Sequence, residues 1–208
     1  MLQYGAVEPR TLDLLKRMMQ IPALQNFHLA GGTALALYFG HRKSIDIDVF
    51  SATDFQSDDL TTVIESNFPG FVFRNAHNPV GIFSFIDDVK VDFVRHHHFP
   101  LIDATVVENG IRLASIPDIA AMKIAAILKR GVKKDFYDLS ELLLRFSIED
   151  LINFYSRKYP NQQLLISVPQ ALTYFADAEE SEDPISLNGQ TWKKVKKHLR
   201  QQVKEYLQ

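Results

Sequence analysis

The 208-residue chain contains no cysteine, which excludes disulfides and zinc sites built from thiolates. It also lacks an apolar run of membrane-spanning length and a basic, then apolar, secretory signal at its start. The formal net charge is only −2, so any surface that binds nucleic acid must be a local one. These absences predict a cytoplasmic protein with no membrane partner.

The remaining composition, 46% hydrophobic and 23% charged, is that of an ordinary globular protein with a substantial core. The hydrophobic pattern changes near Ser115: strand-like and helical segments alternate before it, and almost only helical segments follow. We therefore expect an α/β (α+β) fold class, with an α/β core and mixed sheet over residues 1–115. A helical region over residues 116–208 is expected to pack on that core.

Individual elements follow from the same periodicities and from glycine and proline punctuation. A hairpin turn is predicted at Asp87-Asp88, between the two most regular strands. Strands are predicted at residues 27–30, 45–50, 71–74, 80–86, 89–94 and 111–114. Helices are predicted from residue 9 to before residue 22 and at residues 33–38, 58–67, 116–130, 134–146, 148–158, 164–176 and 191–207.

Two aspartates separated by one residue stand in the second predicted strand, Ile45-Asp46-Ile47-Asp48-Val49. Side chains alternate along a strand, so Asp46 and Asp48 share one face while Ile45, Ile47 and Val49 share the other. Like charges this close need a cation or a shared proton between them. An isolated Asp-x-Asp is most often a solvated strand end, so the pair needs support from other residues.

Asp92 provides that support, because it has the same phase in the strand Val89-Lys90-Val91-Asp92-Phe93. If the two strands are neighbours, Asp92 converges on Asp46 and Asp48. Three carboxylates suit one or two Mg²⁺ ions, which prefer oxygen ligands and also bind substrate phosphates.

A glycine pair, Gly31-Gly32, joins a predicted strand to a predicted helix, where backbone N–H groups are free to bind phosphate. A tight turn with Thr33 as the helix N-cap explains the same residues and does not exclude phosphate binding. The G-x-x-x-x-G-K-[ST] spacing of a Walker loop is absent. Together with the carboxylates, this loop indicates a magnesium-dependent enzyme acting on a nucleoside triphosphate (NTP).

A second charged cluster lies in the helical half. Lys123 and Arg130 are seven residues apart and share a helix face, and Asp135 and Asp138 share the next one. Lys134 is expected to pair with Asp138 at i,i+4. Salt-bridged surface helices account for these residues taken alone, but a lysine in a helix as apolar as that of Lys123 needs a buried partner.

Two further signals carry less weight. In His96-His97-His98 at most His96 and His98 could share an ion, and a solvated strand end is the better explanation. The last predicted helix has a basic outer face that could contact RNA phosphates or an acidic partner, or be simply solvated. Its basic residues are Lys193, Lys196, Lys197 and Arg200, and its expected inward residues are Trp192, Val195, Leu199, Val203 and Tyr206.

Several of these segments together resemble the AbiEii toxin-like nucleotidyltransferase family, within the polymerase-beta-like nucleotidyltransferase superfamily. The resemblance runs from about Phe27 to Leu144 and implies a nucleotidyltransferase core. The family contains toxins of abortive-infection (type IV) toxin–antitoxin systems, which makes a cognate antitoxin a candidate partner. The segments are residues 31–37, the link 40–44, Asp46-Ile47-Asp48, and Lys123, Arg130 and residues 134–139.

The resemblance also implies roles for individual residues. Asp46 and Asp48 are implied metal ligands, and the third carboxylate of the superfamily maps onto Asp92, with Asp87 and Asp88 as alternatives in the predicted turn. Lys123 and Asp135 match further motifs with charged roles near the nucleotide. The implied nucleotide-binding residues are Gly31, Gly32, Thr33, Arg42, Ser44, Arg130 and Asp138.

The expected reaction is Mg²⁺-dependent transfer of a nucleoside monophosphate from an NTP to an acceptor hydroxyl, with release of pyrophosphate. Asp92 is expected to ligate a second ion and to help deprotonate the acceptor. The favoured acceptor is tRNA; a protein hydroxyl (AMPylation) and a small molecule such as an aminoglycoside are alternatives. A nucleotide-binding regulator without turnover is a further alternative, which the complete acid set argues against.

Overall fold

The computed structural model describes residues 1–75 and 78–208, and within them eight α-helices surround a mixed sheet of seven strands. The expected α/β architecture with a helical C-terminal region is confirmed. The strands are β1 (Phe27–Leu29), β2 (Ile47–Ser51), β3 (Phe71–Asn75), β4 (Gly81–Ile86), β5 (Val89–Arg95), β6 (Val106–Glu108) and β7 (Ile111–Leu113). The helices are α1 (Pro9–Met19), α2 (Gly31–Phe39), α3 (Ser57–Asn67), α4 (Ile116–Lys129), α5 (Lys133–Leu142), α6 (Ile148–Lys158), α7 (Val168–Thr173) and α8 (Trp192–Tyr206).

The sheet order is β3-β4-β5-β2-β1-β7-β6, so β2 and β5 are central neighbours and run parallel. Strand β1 is antiparallel to β2 and parallel to β7. Strand β6 was not predicted, because it has only three residues, and Val106 and Val107 are exposed rather than alternating. The central pair β2–β5 is therefore the part of the sheet that positions the predicted acids.

The apolar face of β2 is shorter than expected. Ile47 and Val49 are fully buried, as the alternation predicts, whereas Ile45 is 60% exposed. The strand begins only at Ile47, and the carbonyl of Ile45 accepts a hydrogen bond from the Thr11 hydroxyl at 3.0 Å. The expectation for Ile45 was wrong because the strand period applies only where the chain is paired as a strand.

The β4–β5 hairpin turn lies at Asp87-Asp88, as predicted. Both residues have positive φ, 50° and 63°, as required by the two-residue turn that matches strand twist. Their carboxylates pair with Arg17 and Arg10 of α1, at 3.4 and 3.2 Å. Neither residue lines the cavity described below, so the turn acids are not candidates for the third carboxylate.

Three predictions about helices in the C-terminal half were wrong. The predicted helix 134–146 ends at Leu142, and the chain continues in turns over residues 143–145. The predicted helix 164–176 is reduced to α7, because Ser167 caps its start and Pro169 occupies its first turn. Tyr206 was expected to face inward but is 45% exposed, since it is the last residue of α8 and lies beyond the core. Val195, Leu199 and Val203 of the same helix are buried, as expected.

The buried side chains form one continuous core that runs from Leu2 to Val203. Helix α4 begins directly after its N-cap, Ser115, where the chain was expected to divide into two regions; that division stays a prediction. None of the described helices is both long and apolar enough to cross a bilayer.

An ion pair between Lys158 and Asp118 (Nζ–Oδ1 2.7 Å) ties α6 to the first turn of α4, with both side chains 1% exposed. Asp118 also accepts hydrogen bonds from the Ser115 hydroxyl and the Ile102 N–H. Burial alone would raise the pKa of Asp118, but the hydrogen bonds from Lys158, Ser115 and Ile102 outweigh it and lower the pKa.

His96 is not part of a solvated strand end. Its ring is 8% exposed and packs against Phe50 and Phe99, at centroid distances of 5.1 and 4.9 Å. Burial, with a smaller contribution from the Lys158 charge, lowers the pKa of His96 to about 3 and that of the buried His28 to about 4. Both rings are therefore neutral near pH 7.

Stability should begin to fall on acidification below pH 6.5, above the range in which the carboxylates titrate. Between pH 6.5 and 4 the unfolded chain protonates both histidines, whereas the folded chain begins to protonate His28 only near pH 4 and His96 only below it, which costs roughly 3 kcal/mol for each. His96→Phe, which keeps an aromatic ring in this apolar position, should remove about half of that loss. Urea unfolding at pH 7 and pH 4 measures it, and equal pH dependence in variant and parent would contradict the assignment.

Candidate active site

A cavity of about 470 Å³ lies between one face of the sheet and helices α4 and α5. Twelve residues were predicted for the site, and eleven of them line this cavity; Asp138 does not. The chemical role assigned to each residue stays a prediction. The eleven are Gly31, Gly32, Thr33, Arg42, Ser44, Asp46, Asp48, Asp92, Lys123, Arg130 and Asp135.

Strands β2 and β5 bring the predicted acids to one place. Asp48 is the register partner of Asp92 in the parallel pair, so both side chains leave the sheet on the cavity face. Asp46 lines the same cavity just before β2 begins. Burial raises the pKa of Asp48, and the charges of Asp92 and Asp46 add to the increase, while Lys90 opposes it. A further cation near Asp48 would therefore stabilise its charged form.

Cations of the chain itself lie among these acids. Arg74 donates from Nη2 to both oxygens of Asp92, at 2.6 and 2.9 Å. The Lys90 ammonium lies 3.5 Å from Asp92 Oδ2 and 3.8 Å from Asp46 Oδ2. Lys134 Nζ lies 3.3 Å from Asp46 Oδ2. The acid cluster is thus balanced by three basic side chains.

The expected pairing of Lys134 with Asp138 was wrong. Lys134 is half exposed and reaches across to Asp46, whereas Asp138 is fully buried and its oxygens are occupied by other donors. The i,i+4 spacing describes neighbours on an isolated helix, and tertiary contacts decide the partners here.

The donor set of Asp46, Asp48 and Asp92 fits a hard divalent cation, which prefers carboxylate oxygens. The Lys90 ammonium within 4 Å of two of these acids shows that this place attracts positive charge. As they stand, however, no three acidic or histidine side chains in residues 1–75 and 78–208 form a ready-made metal site. Asp92 would have to turn from Arg74 before it could ligate an ion.

The two glycines of the loop let Asp48 and the buried guanidinium of Arg42 lie close to the backbone. Gly31 has φ +66°, and a Cβ there would lie 2.9 Å from Asp48 Oδ2. A Cβ at Gly32 would collide with a guanidinium nitrogen of Arg42. Ala30 precedes α2 and offers no side-chain cap, so the first N–H groups of the helix lack such a cap within residues 1–75 and 78–208.

Thr33 is not the N-cap of this helix, which corrects the sequence prediction. The positive φ of Gly31 lets α2 begin two residues earlier, so that Thr33 is the third helical residue. Its hydroxyl is hydrogen-bonded to Ser44 Oγ at 2.8 Å and to the carbonyl of Asp46. Thr33 therefore fixes the segment that carries Asp46 against the start of α2.

Asp138 lies behind the cavity wall and holds its cations. Arg42 donates to it from Nε at 2.6 Å and from Nη2 at 2.8 Å, and the His41 ring is 2.7 Å away. Lys123 Nζ is 2.7 Å from Asp138 Oδ2. Burial alone would raise the pKa of Asp138, but the charges of Arg42 and Lys123 hold it well below its usual range. Its predicted contact with nucleotide stays a prediction.

Lys123 has the buried partners that its apolar helix required. Its ammonium lies 2.7 Å from both Asp135 Oδ1 and Asp138 Oδ2. Burial alone would lower the pKa of Lys123, but these two carboxylates outweigh it and raise the pKa. The second oxygen of Asp135 is buried and has no hydrogen-bond partner in the part of the chain that the structure describes. That oxygen can accept a hydrogen bond from a ligand.

Two further cations, Lys129 and Arg130, line the cavity at the end of α4, and both are exposed. Neither has an ion pair within 4 Å among the described residues. The cavity mouth is therefore positively charged and suited to phosphate groups.

A family model for the nucleotidyl transferase AbiEii toxin of type IV toxin–antitoxin systems matches residues 13–72 and 79–207. The chain belongs to this AbiEii family. It is thus a nucleotidyltransferase, and its family suggests an antitoxin as partner. An uncharacterized protein of Aquifex aeolicus (strain VF5) is 32% identical over 201 residues, which cover 94% of this chain and 95% of the relative.

Solved nucleotidyltransferases share the fold of this AbiEii protein. ANT(2")-Ia, solved in complex with adenylyl-2"-tobramycin, has a TM-score of 0.54 at 14% identity, over 71% of this chain and 95% of its own. MenT4, a nucleotidyltransferase toxin of Mycobacterium tuberculosis H37Rv, has a TM-score of 0.51 at 15% identity, over 93% of this chain and 85% of its own. At these identities the likeness shows the fold.

Four cations at the cavity or in contact with its acids were not among the predicted site residues: Arg74, Lys90, Lys129 and Lys134. Lys90 carried a usable signal, because it has the same phase in β5 as Asp92. Arg74 carried none, since its contact with Asp92 crosses an intervening strand.

Gly31→Ala should reduce transfer strongly, because the new methyl group displaces Asp48 in addition to straining the backbone. Gly189→Ala is the matched control, since Gly189 has a similar φ of +72° with nothing within 4 Å of the new Cβ. Each should lose about 1 kcal/mol of stability to the left-handed backbone conformation, and only Gly31→Ala should also lose pyrophosphate release from an NTP, by about tenfold or more. Equal activity in the two variants would show that Asp48 tolerates the contact.

Lys123→Met should destabilise the AbiEii protein by about 3–5 kcal/mol, because it leaves Asp135 and Asp138 as uncompensated buried charges. Lys134→Met is the control, since Lys134 is 47% exposed in its pair with Asp46 and should change stability by less than about 1 kcal/mol. Chemical denaturation followed by circular dichroism measures both. Similar unfolding free energies for the two variants would refute the importance of the buried network.

Proposed function

We propose that this AbiEii nucleotidyltransferase transfers a nucleoside monophosphate from an NTP to a hydroxyl of tRNA, with the help of one or two Mg²⁺ ions. The observation that carries the proposal is the placement of Asp48 and Asp92 as register partners on the cavity face, with Asp46 beside them. The start of α2 faces the same cavity through Gly31 and Gly32.

The triphosphate is proposed to lie between the start of α2 and the end of α4. The uncapped N–H groups of α2 and its dipole favour anionic oxygens. Lys129 and Arg130 supply positive charge from the opposite wall, without an ion pair to break among the described residues. Lys123 and Arg42 are held by Asp138 behind that wall, so they contribute a fixed positive field rather than mobile contacts.

In the proposed reaction, Asp46, Asp48 and Asp92 would hold Mg²⁺, which when bound supplies charge neutralisation and aligns the attacking and leaving oxygens. Asp92 accepts the proton of the acceptor hydroxyl as that oxygen attacks the α-phosphorus. The bond to the β,γ-diphosphate breaks, and Lys129 and Arg130 stabilise the charge on the leaving pyrophosphate. Most of the rate then comes from positioning and electrostatics, as in phosphoryl transfer generally.

The charge of the cavity mouth supports a polyanionic acceptor. Lys129, Arg130 and Lys134 are exposed there. The outer face of α8, which does not line this cavity, carries Lys193 and other exposed cations as a second basic surface. ANT(2")-Ia, of the same fold, was solved with adenylyl-2"-tobramycin, which makes an aminoglycoside the second candidate. A polycationic aminoglycoside would be repelled by this mouth, whereas tRNA would be attracted. Membership of a transferase family speaks against a regulator without turnover.

Labelling identifies the acceptor directly. The protein is incubated with each α-labelled NTP, Mg²⁺ and a cell extract, and the products are separated into RNA, protein and small molecules. Label in RNA of tRNA size, lost when EDTA is present, is the expected result. Label in protein would indicate AMPylation-type transfer, and labelled aminoglycoside in a supplemented reaction would indicate the second candidate.

Asp48→Asn should abolish labelling, by at least about a hundredfold, while stability stays the same or rises by up to about 1 kcal/mol. The physical reason is that the substitution removes one charge from a cluster in which burial and neighbouring carboxylates already raise the pKa of Asp48. Asp88→Asn is the matched control, since that carboxylate is 94% exposed in the hairpin turn. Near-parental transfer by Asp48→Asn would contradict the metal assignment.

A further inference from the structure

Arg74 stands at an irregularity in the sheet edge. In the β3–β4 ladder Phe73 pairs with Ser84, but Asn75 pairs with Phe83, so that Arg74 is an extra residue between two pairs. Such a bulge bends the strand and changes where its side chains point, and bulges are common beside active sites. Strand β3 is an edge strand, so Arg74 lies in the more exposed part of the sheet.

The bulge lies at one end of a row that leads to the acids. Asn75 pairs with Phe83, Phe83 with Asp92, and Asp92 with Asp48, across four neighbouring strands. Paired residues present their side chains on the same sheet face. The Arg74 guanidinium lies 5.4 Å from the centre of the Phe83 ring and reaches Asp92 beyond it.

The contact uses both oxygens of Asp92. Nη2 of Arg74 lies 2.6 Å from Oδ1 and 2.9 Å from Oδ2, and the Asp92 side chain is only 9% exposed. A hydrogen bond between charged groups that is largely removed from water is among the stronger polar contacts in a protein. The lone pairs that Nη2 occupies are not available to a divalent cation, and the guanidinium charge repels an ion that approaches the remaining ones.

We propose that Arg74 is a positioning residue that holds Asp92 in the free enzyme and must release it before a divalent cation can bind. This rests on the proposed function, which makes Asp92 a metal ligand. The Arg74 side chain is 36% exposed and so has room to move, unlike Arg42, which is 3% exposed in its ion pair.

Arg74 thereby couples cation binding to nucleotide binding. A bare cation would have to displace the guanidinium and leave it without a partner, whereas a cation arriving with an NTP brings phosphate oxygens that can bind it. The free enzyme is expected to bind divalent cations weakly, and removal of Arg74 should make it bind them better.

The test is direct titration with Mn²⁺ alone, without nucleotide, followed by electron paramagnetic resonance of the free ion. Arg74→Gln should bind Mn²⁺ roughly tenfold more tightly than the parent, the scale expected for one charged hydrogen bond. Arg17→Gln is a matched control: Arg17 also pairs with an aspartate, at 3.4 Å from Asp87, and also lies over a phenylalanine ring, at 5.3 Å from Phe68. It should leave Mn²⁺ affinity unchanged.

The Asp92→Asn variant separates the role of Arg74 from the assignment of Asp92 as a metal ligand. If the gain from Arg74→Gln disappears in the Asp92→Asn background, the inference holds; a gain that persists there, or no gain at all, overturns it. When Asp92→Asn weakens Mn²⁺ binding but Arg74→Gln does not strengthen it, the metal assignment survives without the role of Arg74. Parental Mn²⁺ affinity in both Asp92→Asn and Asp48→Asn would instead refute the proposed metal site.

The Arg74→Lys variant controls for a folding defect in Arg74→Gln, because lysine keeps the positive charge but lacks the guanidinium geometry. Its Mn²⁺ affinity should lie between those of the parent and Arg74→Gln. Affinity equal to that of Arg74→Gln would show that the charge of residue 74 has no part in the effect and would overturn the inference.

Discussion

The buried carboxylate of Asp138 is the contact on which the active site depends. It lies in α5, and it binds Arg42 of the loop after α2 and Lys123 of α4, so that one side chain joins three segments that are far apart in sequence. The free-energy cost of burying these charges is offset only when all of them are present and hydrogen-bonded. Arg42 in turn lies directly against Gly32, and so the Gly31-Gly32 loop takes its position from Asp138, a residue that does not line the cavity.

The cavity and its surroundings contain two kinds of positive charge. Lys123 and Arg42 are buried and permanently paired, and they form a rigid wall. Arg74, Lys90 and Lys134 are partly exposed and paired with the acids of the sheet, and they can exchange these partners for others. The proposed function requires the cavity to receive both a cation and a polyanion. Charges that can exchange partners suit this, because a charged side chain cannot remain unpaired in a half-buried cavity.

Asp48 and Asp92 were predictable because strand alternation is local, and their phases follow from the residues on either side. Asp46 reaches the same cavity although it precedes β2, where the alternation no longer applies. The buried partner of Lys123 was predictable in kind, since a lysine among aliphatic residues requires one, and Asp135 and Asp138 were at hand. Partners decided by tertiary packing were not predictable. Lys134 reaches a strand rather than its own helix, the burial of His96 depends on aromatic residues from several elements, and the contact of Arg74 needs a bulge that no local pattern specifies.

Because Asp48 pairs with Asp92, the geometry of the sheet sets the distance between their carboxylates. Neighbouring strands lie about 4.8 Å apart, so backbone hydrogen bonds, rather than flexible side chains, fix the separation of the two carboxylate stems. A slip of β5 by one residue would turn Asp92 into the core and bring Val91 or Phe93 to the cavity. The hairpin at Asp87-Asp88, which does not line the cavity, fixes the register of β5 against β4 and thereby places Asp92 opposite Phe83.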